Sequence, residues 1–388
     1  MSAFPNYSAA RMAALEAQAT AILGVFERHG YTRSEPSVLQ PADIFLDRSG
    51  EEIRRRTFAF TDPAGNELCL RPDLTIPICR MYVEEDGGLP ARLSYHGLAF
   101  RHQPAEPERP TQFYQAGVEL LGQDDKVAAE EEILTLAIEA LRASGLAHFK
   151  VKLGDLSLFA NFVDGLALAP QWRERLKRHF WRAGYLDALL KGDARPQHSD
   201  AQSLLAHLGS LGEAEARPAF EGLMDMIGGA PFGARTREEI VDRLMEQAAD
   251  AAALRLDPVI AELIGQLLAV SGEARTAIEE VRALTQRAGV DLKAPLQAMG
   301  ARLDVLGKLA IAPDDVSFAA RFGRNMEYYT GFVFELWAED AEGPVQVAGG
   351  GRYDSLLEHL GASRSIPAIG YAIRTERVLA VRRAQRTA

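Results

Sequence analysis

The stretch Gln112–Glu119, Gln-Phe-Tyr-Gln-Ala-Gly-Val-Glu, constrains the fold more than any other part of the chain. A strand period of two puts Phe113, Gln115, Gly117 and Glu119 on one face, and Gln112, Tyr114, Ala116 and Val118 on the other. The segment ending at Phe100-Arg101 reads as its hairpin partner. The loop between them, Gln103 to Pro110, holds three prolines and can hardly pair in a ladder. A face carrying a glutamine, a gap and a glutamate is odd for a core strand, because a buried carboxylate needs a partner. A solvated face of an antiparallel sheet accounts for the alternation equally well.

Elsewhere the chain is strand-rich at both ends and helical in the middle. Ser8 to His29 predicts an amphipathic helix stopped at Gly30. Arg54–Phe60 and Glu67–Leu70 read as a hairpin around Asp62-Pro63-Ala64-Gly65-Asn66. Leu70 to Thr75 breaks the second strand, and a helix follows from Thr75 to Val83. Asp73 and Thr75 therefore sit at a strand-to-helix junction, where an N-cap is the plain reading. A helix after Asp124-Asp125 ends at Gly145, and His148–Leu153 is a short strand. From about Leu156 to Ala310 alanine and leucine dominate, with capping-box spacings at Thr236/Glu239 and Thr276/Glu279. Strand signals return at Val316–Phe322 and Phe332–Trp337.

Two further features stand out. Tyr328 and Tyr329 are adjacent, so on a strand only one of them can face what Glu119 faces. Gly349-Gly350-Gly351 lets backbone approach something closely, ahead of a helix opened by a Ser355/Glu358 capping box. That helix N-terminus is a natural place for an anionic group.

With 388 residues, 47% apolar and 25% charged, the chain has the size for two or more cores and an ordinary soluble composition. Acidic residues outnumber basic ones by 54 to 43, which argues against a nucleic-acid footprint. No apolar run approaches the roughly 20 residues of a spanning helix. Met1–Asn6 has no basic region and no apolar segment follows it, so no signal peptide and a cytoplasmic location are expected. Cys69 and Cys79 form no disulfide framework or metal spacing, and His179, His198 and His207 read as ordinary histidines. No metal or cofactor is expected.

The polar residues on core-like elements are Asp73, Thr75, Arg101, Gln115, Glu119, Arg324, Tyr328, Tyr329, Tyr353 and Arg377. They suit a small zwitterion. Asp73, Thr75 and Gln115 offer acceptors to an ammonium, and Arg101 suits a carboxylate. Glu119 with a tyrosine hydroxyl suits ring N–H groups such as those of imidazole.

These motifs, in this order, resemble the catalytic core of histidyl-tRNA synthetase, a class II synthetase. Glu35-Pro36 resembles motif 1, the dimer-interface motif. Phe100-Arg101-His102 with Gln112–Gln115 resembles motif 2, and Gly370–Arg377 resembles motif 3. Arg324–Tyr329 and Gly349–Asp354 match the family's two histidine motifs. The resemblance implies an α+β class II synthetase-like core, an antiparallel sheet flanked by helices, with a helical insertion. The expected boundaries are 1–155 and 311–388 for the two parts of the core and 156–310 for the insertion. It also implies that Asp73, Thr75, Arg101, Gln115, Glu119, Arg324, Tyr329 and Tyr353, with Tyr328 adjacent, line a histidine pocket, and that Arg377 marks a vestigial nucleotide site.

Three departures point to a paralogue. The sequence stops soon after motif 3, so no anticodon-binding domain is expected. Gln103 stands in the motif 2 loop where the synthetase carries Glu, and Arg109 is that loop's only base. Asp73 replaces a Glu. A synthetase-like core without tRNA apparatus resembles the regulatory subunits of ATP phosphoribosyltransferase, a likeness reinforced by Leu70–Pro77. That family implies a non-catalytic subunit required by a short-form catalytic phosphoribosyltransferase, with histidine feedback on the first step of histidine biosynthesis. The expected partners are that catalytic chain, L-histidine and a second copy through the motif 1 region within a hetero-oligomer, without tRNA or membrane. The alternative is a truncated synthetase-like enzyme forming histidyl-adenylate.

Overall fold

The computed structural model describes residues 6–46, 55–85, 87–103, 110–180, 183–191, 213–227, 256–323 and 328–387, with a few positions between 208 and 245. Two compact units emerge: 1–165 with 267–388, and 166–266.

The first unit is built on a nine-stranded sheet. Its strands are β1 (Thr32–Arg33), β5 (Ala91–Phe100), β6 (Gln112–Leu121), β7 (Lys150–Asp155), β8 (Ser271–Glu273), β9 (Val316–Ala319), β10 (Phe332–Asp340), β11 (Gly343–Arg352) and β12 (Ala368–Arg374). They lie in the order β1-β5-β6-β12-β11-β10-β7-β9-β8. The β1/β5 and β7/β9 pairs are parallel and the others antiparallel. A separate three-stranded sheet joins β2 (Leu39–Pro41), β4 (Glu67–Leu70) and β3 (Phe58–Thr61). The β3–β4 turn is tied by Asp62 Oδ1, which accepts from the backbone of Ala64 and Asn66 at 2.8 Å each.

One face of the large sheet is packed by helices. Helix α1 (Ala9–Arg28) starts at Ser8, whose side chain caps Arg11 N. It buries Leu15, Ala19, Ile22 and Phe26, the last edge-on to Tyr371 of β12 at 6.1 Å between ring centroids, and passes into Gly30 at φ +79°. Helix α3 (Lys126–Ala143) is capped by Asp125. On the same side a buried ionic cluster ties the layers together. Glu130 of α3 accepts from Arg352 of β11 at 2.6 Å and from Arg302 at 2.8 Å, and Arg302 also donates to Asp155 of β7 at 2.8 Å. Glu130, Arg302 and Arg352 are each under 5% exposed, so the charges balance without water.

Helices α4 (Leu156–Gly165), α5 (Ala274–Ala288) and α6 (Lys293–Lys308) belong to this first unit although they lie in the alanine- and leucine-rich stretch. The second unit contains helices Pro170–Arg178, Ala183–Lys191 and Glu213–Ile227, with a cluster of Leu208, Ala216, Phe220 and Val241.

Four local expectations change. Thr276 does not cap a helix: α5 begins after Glu273, whose carboxylate accepts from the backbone of Arg275 and Thr276 at 2.9 Å each, because β8 runs straight into the helix. The Thr236/Glu239 spacing lies outside the described residues. Ser355 makes no side-chain cap, and the helix it precedes is a single turn, Leu356–His359, too short to present an anion site. The three glycines before it are inside β11, where Gly350 and Gly351 admit neighbouring strands and side chains rather than an anion. Finally, Tyr328 and Tyr329 are both buried, at 7% exposure each; they precede β10 in a turn, so strand alternation does not divide them.

Candidate functional site

The other face of the large sheet lies opposite α1 and α3. Register places Leu93, Glu119, Gly370, Gly351 and Val333 side by side across five strands. The next row is Tyr95, Gly117, Ala372, Gly349 and Glu335. Glycine and alanine thus floor a cleft between two acidic positions. Helix α2 (Thr75–Glu85) closes one side, packing Leu74 and Ile78 onto Tyr95, Ala99 and Phe113.

Glu119 is fully buried on this floor. Its Oε1 accepts from Thr75 Oγ1 at 2.7 Å, and its Oε2 accepts a short hydrogen bond from the Tyr353 hydroxyl. Gly370 lies directly across from it, and any Cβ there would overlap Glu119 Oε2. The Tyr353 hydroxyl also receives the Cys79 thiol at 3.9 Å, and Tyr328 meets the Tyr353 ring edge-on at 5.7 Å. Tyr329 stacks obliquely on Tyr328 at 4.8 Å and lies against Gly351. Glu119, Thr75, Tyr353, Tyr328 and Tyr329 therefore form one group.

Asp73 combines two roles. Its Oδ1 accepts from Ile76 N at 3.1 Å, the helix-cap geometry, while Oδ2 is buried without a partner. Gln115 Oε1, on the same sheet face as Glu119, is likewise buried without a partner. Two unsatisfied buried acceptors in one cleft are what a cationic or N–H-bearing ligand relieves. Arg101 follows β5, donates from Nε to Pro72 O at 2.7 Å and lies over the Phe113 ring at 5.5 Å. Arg377 Nη1 donates to Gln346 O at 2.9 Å. Arg324 lies outside the described residues.

Electrostatics follow from this burial. Removal from water pushes the Glu119 carboxyl up to about 8; the nearby Asp73 charge adds to the shift, while the Tyr353 and Thr75 hydroxyls oppose it. Asp73 is also raised by burial, with Arg101 pulling the other way. Burial and the neighbouring acids hold the Tyr353 phenol protonated well above its usual range. Burial thus shifts both carboxyls toward their protonated forms.

Sequence reasoning gave no site role to Tyr95, Cys79 or Gly370, although it read Gly117 as a gap beside Glu119. Tyr95 stands opposite Gly117, and its hydroxyl takes the space that a side chain at Gly117 would need. Strand alternation from Leu93 to Ala99 carried that signal; the matching glycine on another strand did not show in one sequence. Among the described residues no group of three or more His, Cys, Asp or Glu is placed to hold a metal ion, and no helix is long and apolar enough to cross a membrane.

The model of the family described as histidyl-tRNA synthetase matches residues 4–223 and 219–378. A protein of Brucella anthropi, 36% identical over 89% of this chain and 91% of its own length, is named ATP phosphoribosyltransferase regulatory subunit. So is one of Chelativorans, 36% identical over 94% of this chain and 97% of its own length. This chain belongs to the family of ATP phosphoribosyltransferase regulatory subunits. Solved structures give the fold: an ATP phosphoribosyltransferase regulatory subunit/histidyl-tRNA synthetase of Bacillus halodurans superposes with a TM-score of 0.67 at 24% identity, covering 98% of this chain and 82% of that one. Apo histidyl-tRNA synthetase of S. aureus gives 0.54 at 18% identity, covering 99% of this chain and 73% of that one. In the regulatory-subunit family, then, the cleft described above sits on a class II synthetase core.

Proposed function

We propose that this chain is a non-catalytic, cytoplasmic regulatory subunit that switches on a short-form ATP phosphoribosyltransferase and takes part in histidine feedback on it. It would pair with a second copy through the Glu35-Pro36 region within a hetero-oligomer, and it would not engage tRNA. The names of relatives that match nearly end to end support the regulatory role. The pocket reading rests on one observation: a fully buried glutamate held between Thr75 and Tyr353 beside the half-satisfied Asp73.

In this reading L-histidine binds with its imidazole on Glu119 and Tyr353. Its ammonium meets Asp73, Thr75 and Gln115, and its carboxylate meets Arg101. Tyr328 and Tyr329 wall the ring. Gln103 supports the absence of adenylation, since its amide folds back to Pro110 O at 2.8 Å, closing the neck of the loop that the synthetase uses for ATP. Arg324 keeps only the place in the histidine pocket that the family resemblance implies, and Arg377 only that of a vestigial nucleotide site. Histidine-dependent ATP–pyrophosphate exchange tests the reading against an adenylating enzyme. A calorimetric histidine isotherm without exchange supports the regulatory pocket; exchange at enzymatic rates rejects it.

A further inference from the structure

The cleft floor continues past the amino-acid pocket to Phe113, and there the small-residue pattern stops. On the cleft side of β12 the residues are Gly370, Ala372 and then Arg374, which pairs across the ladder with Gln115. The Arg374 guanidinium lies over the Phe113 ring at 4.8 Å, and Arg101 lies over the same ring at 5.5 Å. Phe113 is 5% exposed as a result of this cover and of α2. An aromatic ring beside a glycine and alanine floor, with arginines near it, is what a nucleobase needs to stack on and its phosphates to pair with.

We infer that Arg374 is a specificity-determining residue that covers the Phe113 ring, so that this end of the sheet face admits an amino acid and excludes a nucleotide such as ATP. A planar guanidinium stacked on Phe113 offers the ring the same cation–π and stacking contacts a base would have to replace. A base entering there must displace a charged group from a partly buried position, and the loss offsets what stacking on the ring provides. A residue with no side chain at 374 would leave the Gly370–Ala372 floor continuous up to Phe113.

The inference builds on the amino-acid pocket proposed above, and its test separates the two. Wild type, Arg374→Gly and Arg374→Ala are titrated calorimetrically with ATP and, separately, with histidine, and their thermal midpoints are measured. Wild type is expected to give no ATP isotherm in the micromolar to low millimolar range. The variants are expected to gain ATP affinity by about fivefold to a hundredfold, the range that base stacking on an aromatic ring supplies. Histidine affinity should stay within about threefold of wild type, because Glu119, Thr75 and Tyr353 hold one another without Arg374 and Arg101 keeps its own bond to Pro72 O. ATP binding by wild type as tight as by the variants overturns the inference. So does a folded variant, with an unshifted midpoint, that still ignores ATP; the alanine variant serves if the glycine one unfolds. Loss of histidine binding in wild type counts against the pocket and leaves the ATP comparison standing.

Discussion

The Tyr353 hydroxyl donates to Glu119 Oε2 across the backbone of Gly370, linking the end of β11 to β6 over the intervening β12. The contact exists because the strand between them carries no side chain at that point. With the Thr75 hydroxyl on Oε1, it fixes the orientation of the buried carboxylate.

Glu119→Gln removes the titratable carboxyl while its amide oxygen still accepts from Tyr353 and its NH2 can donate to Thr75. Histidine affinity should fall by about ten- to a hundredfold, the loss expected for a charge-assisted hydrogen bond. Stability should move the opposite way in alkali. Folding raises the Glu119 value from the ordinary 4.5 to about 8, so the stability this group contributes is full below 4.5 and is lost as pH rises through 8. Thermal unfolding should show wild type and variant alike near pH 5 and the variant the more stable at pH 9. A variant less stable at every pH would make Glu119 a structural group.

Histidine affinity should itself pass through a maximum. In the proposed pocket, bound imidazole and Glu119 would share one proton. Free Glu119 releases its proton near 8 and free imidazole takes one up near ~6.5. Between those values the free partners already hold one proton between them. Above about 8 binding must take up a proton, and below about 6.5 it must release one, so affinity should drop about tenfold per unit on either side. Dissociation constants measured from pH 5.5 to 9.5 check this; a flat profile contradicts it.

Asp73→Asn should separate the two ends of the ligand. The asparagine oxygen keeps the cap on Ile76 N, so the fold is preserved. Histidine should bind about tenfold or more weakly, whereas imidazole, which has no ammonium, should bind wild type and variant alike. Equal losses for both ligands would place Asp73 beside the ring.

Much of this was legible in the sequence, and the limits have physical causes. The alternation of Phe113, Gln115, Gly117 and Glu119 survives in β6 because a strand period of two is local. The turn at Asp62–Asn66 and the Ser8 and Asp125 caps are local as well. Asp73 read plausibly as a cap or a pocket acid; the structure gives one oxygen to each role. The contacts of Tyr95 and Cys79 depend on how four separate segments converge, which no spacing encodes. Nothing local in the sequence singles out Glu130 or Arg302, which meet beneath the sheet from positions far apart in the chain.

That hidden cluster carries its own prediction. Glu130→Ala leaves Arg302 and Arg352 buried without their shared carboxylate, which should cost about 3–5 kcal/mol of stability by chemical denaturation. A change below about 1 kcal/mol would mean that water reaches the arginines and the cluster is not desolvated.

Reconstitution with a short-form ATP phosphoribosyltransferase catalytic chain tests the central claim most directly. The two chains, co-expressed, are purified through a tag on one of them, and phosphoribosyl transfer to ATP is measured with and without this subunit. The account predicts a stable complex whose activity far exceeds that of the catalytic chain alone, with this subunit inactive by itself. A catalytic chain that is equally active without it, or phosphoribosyl transfer by this chain alone, would contradict the account.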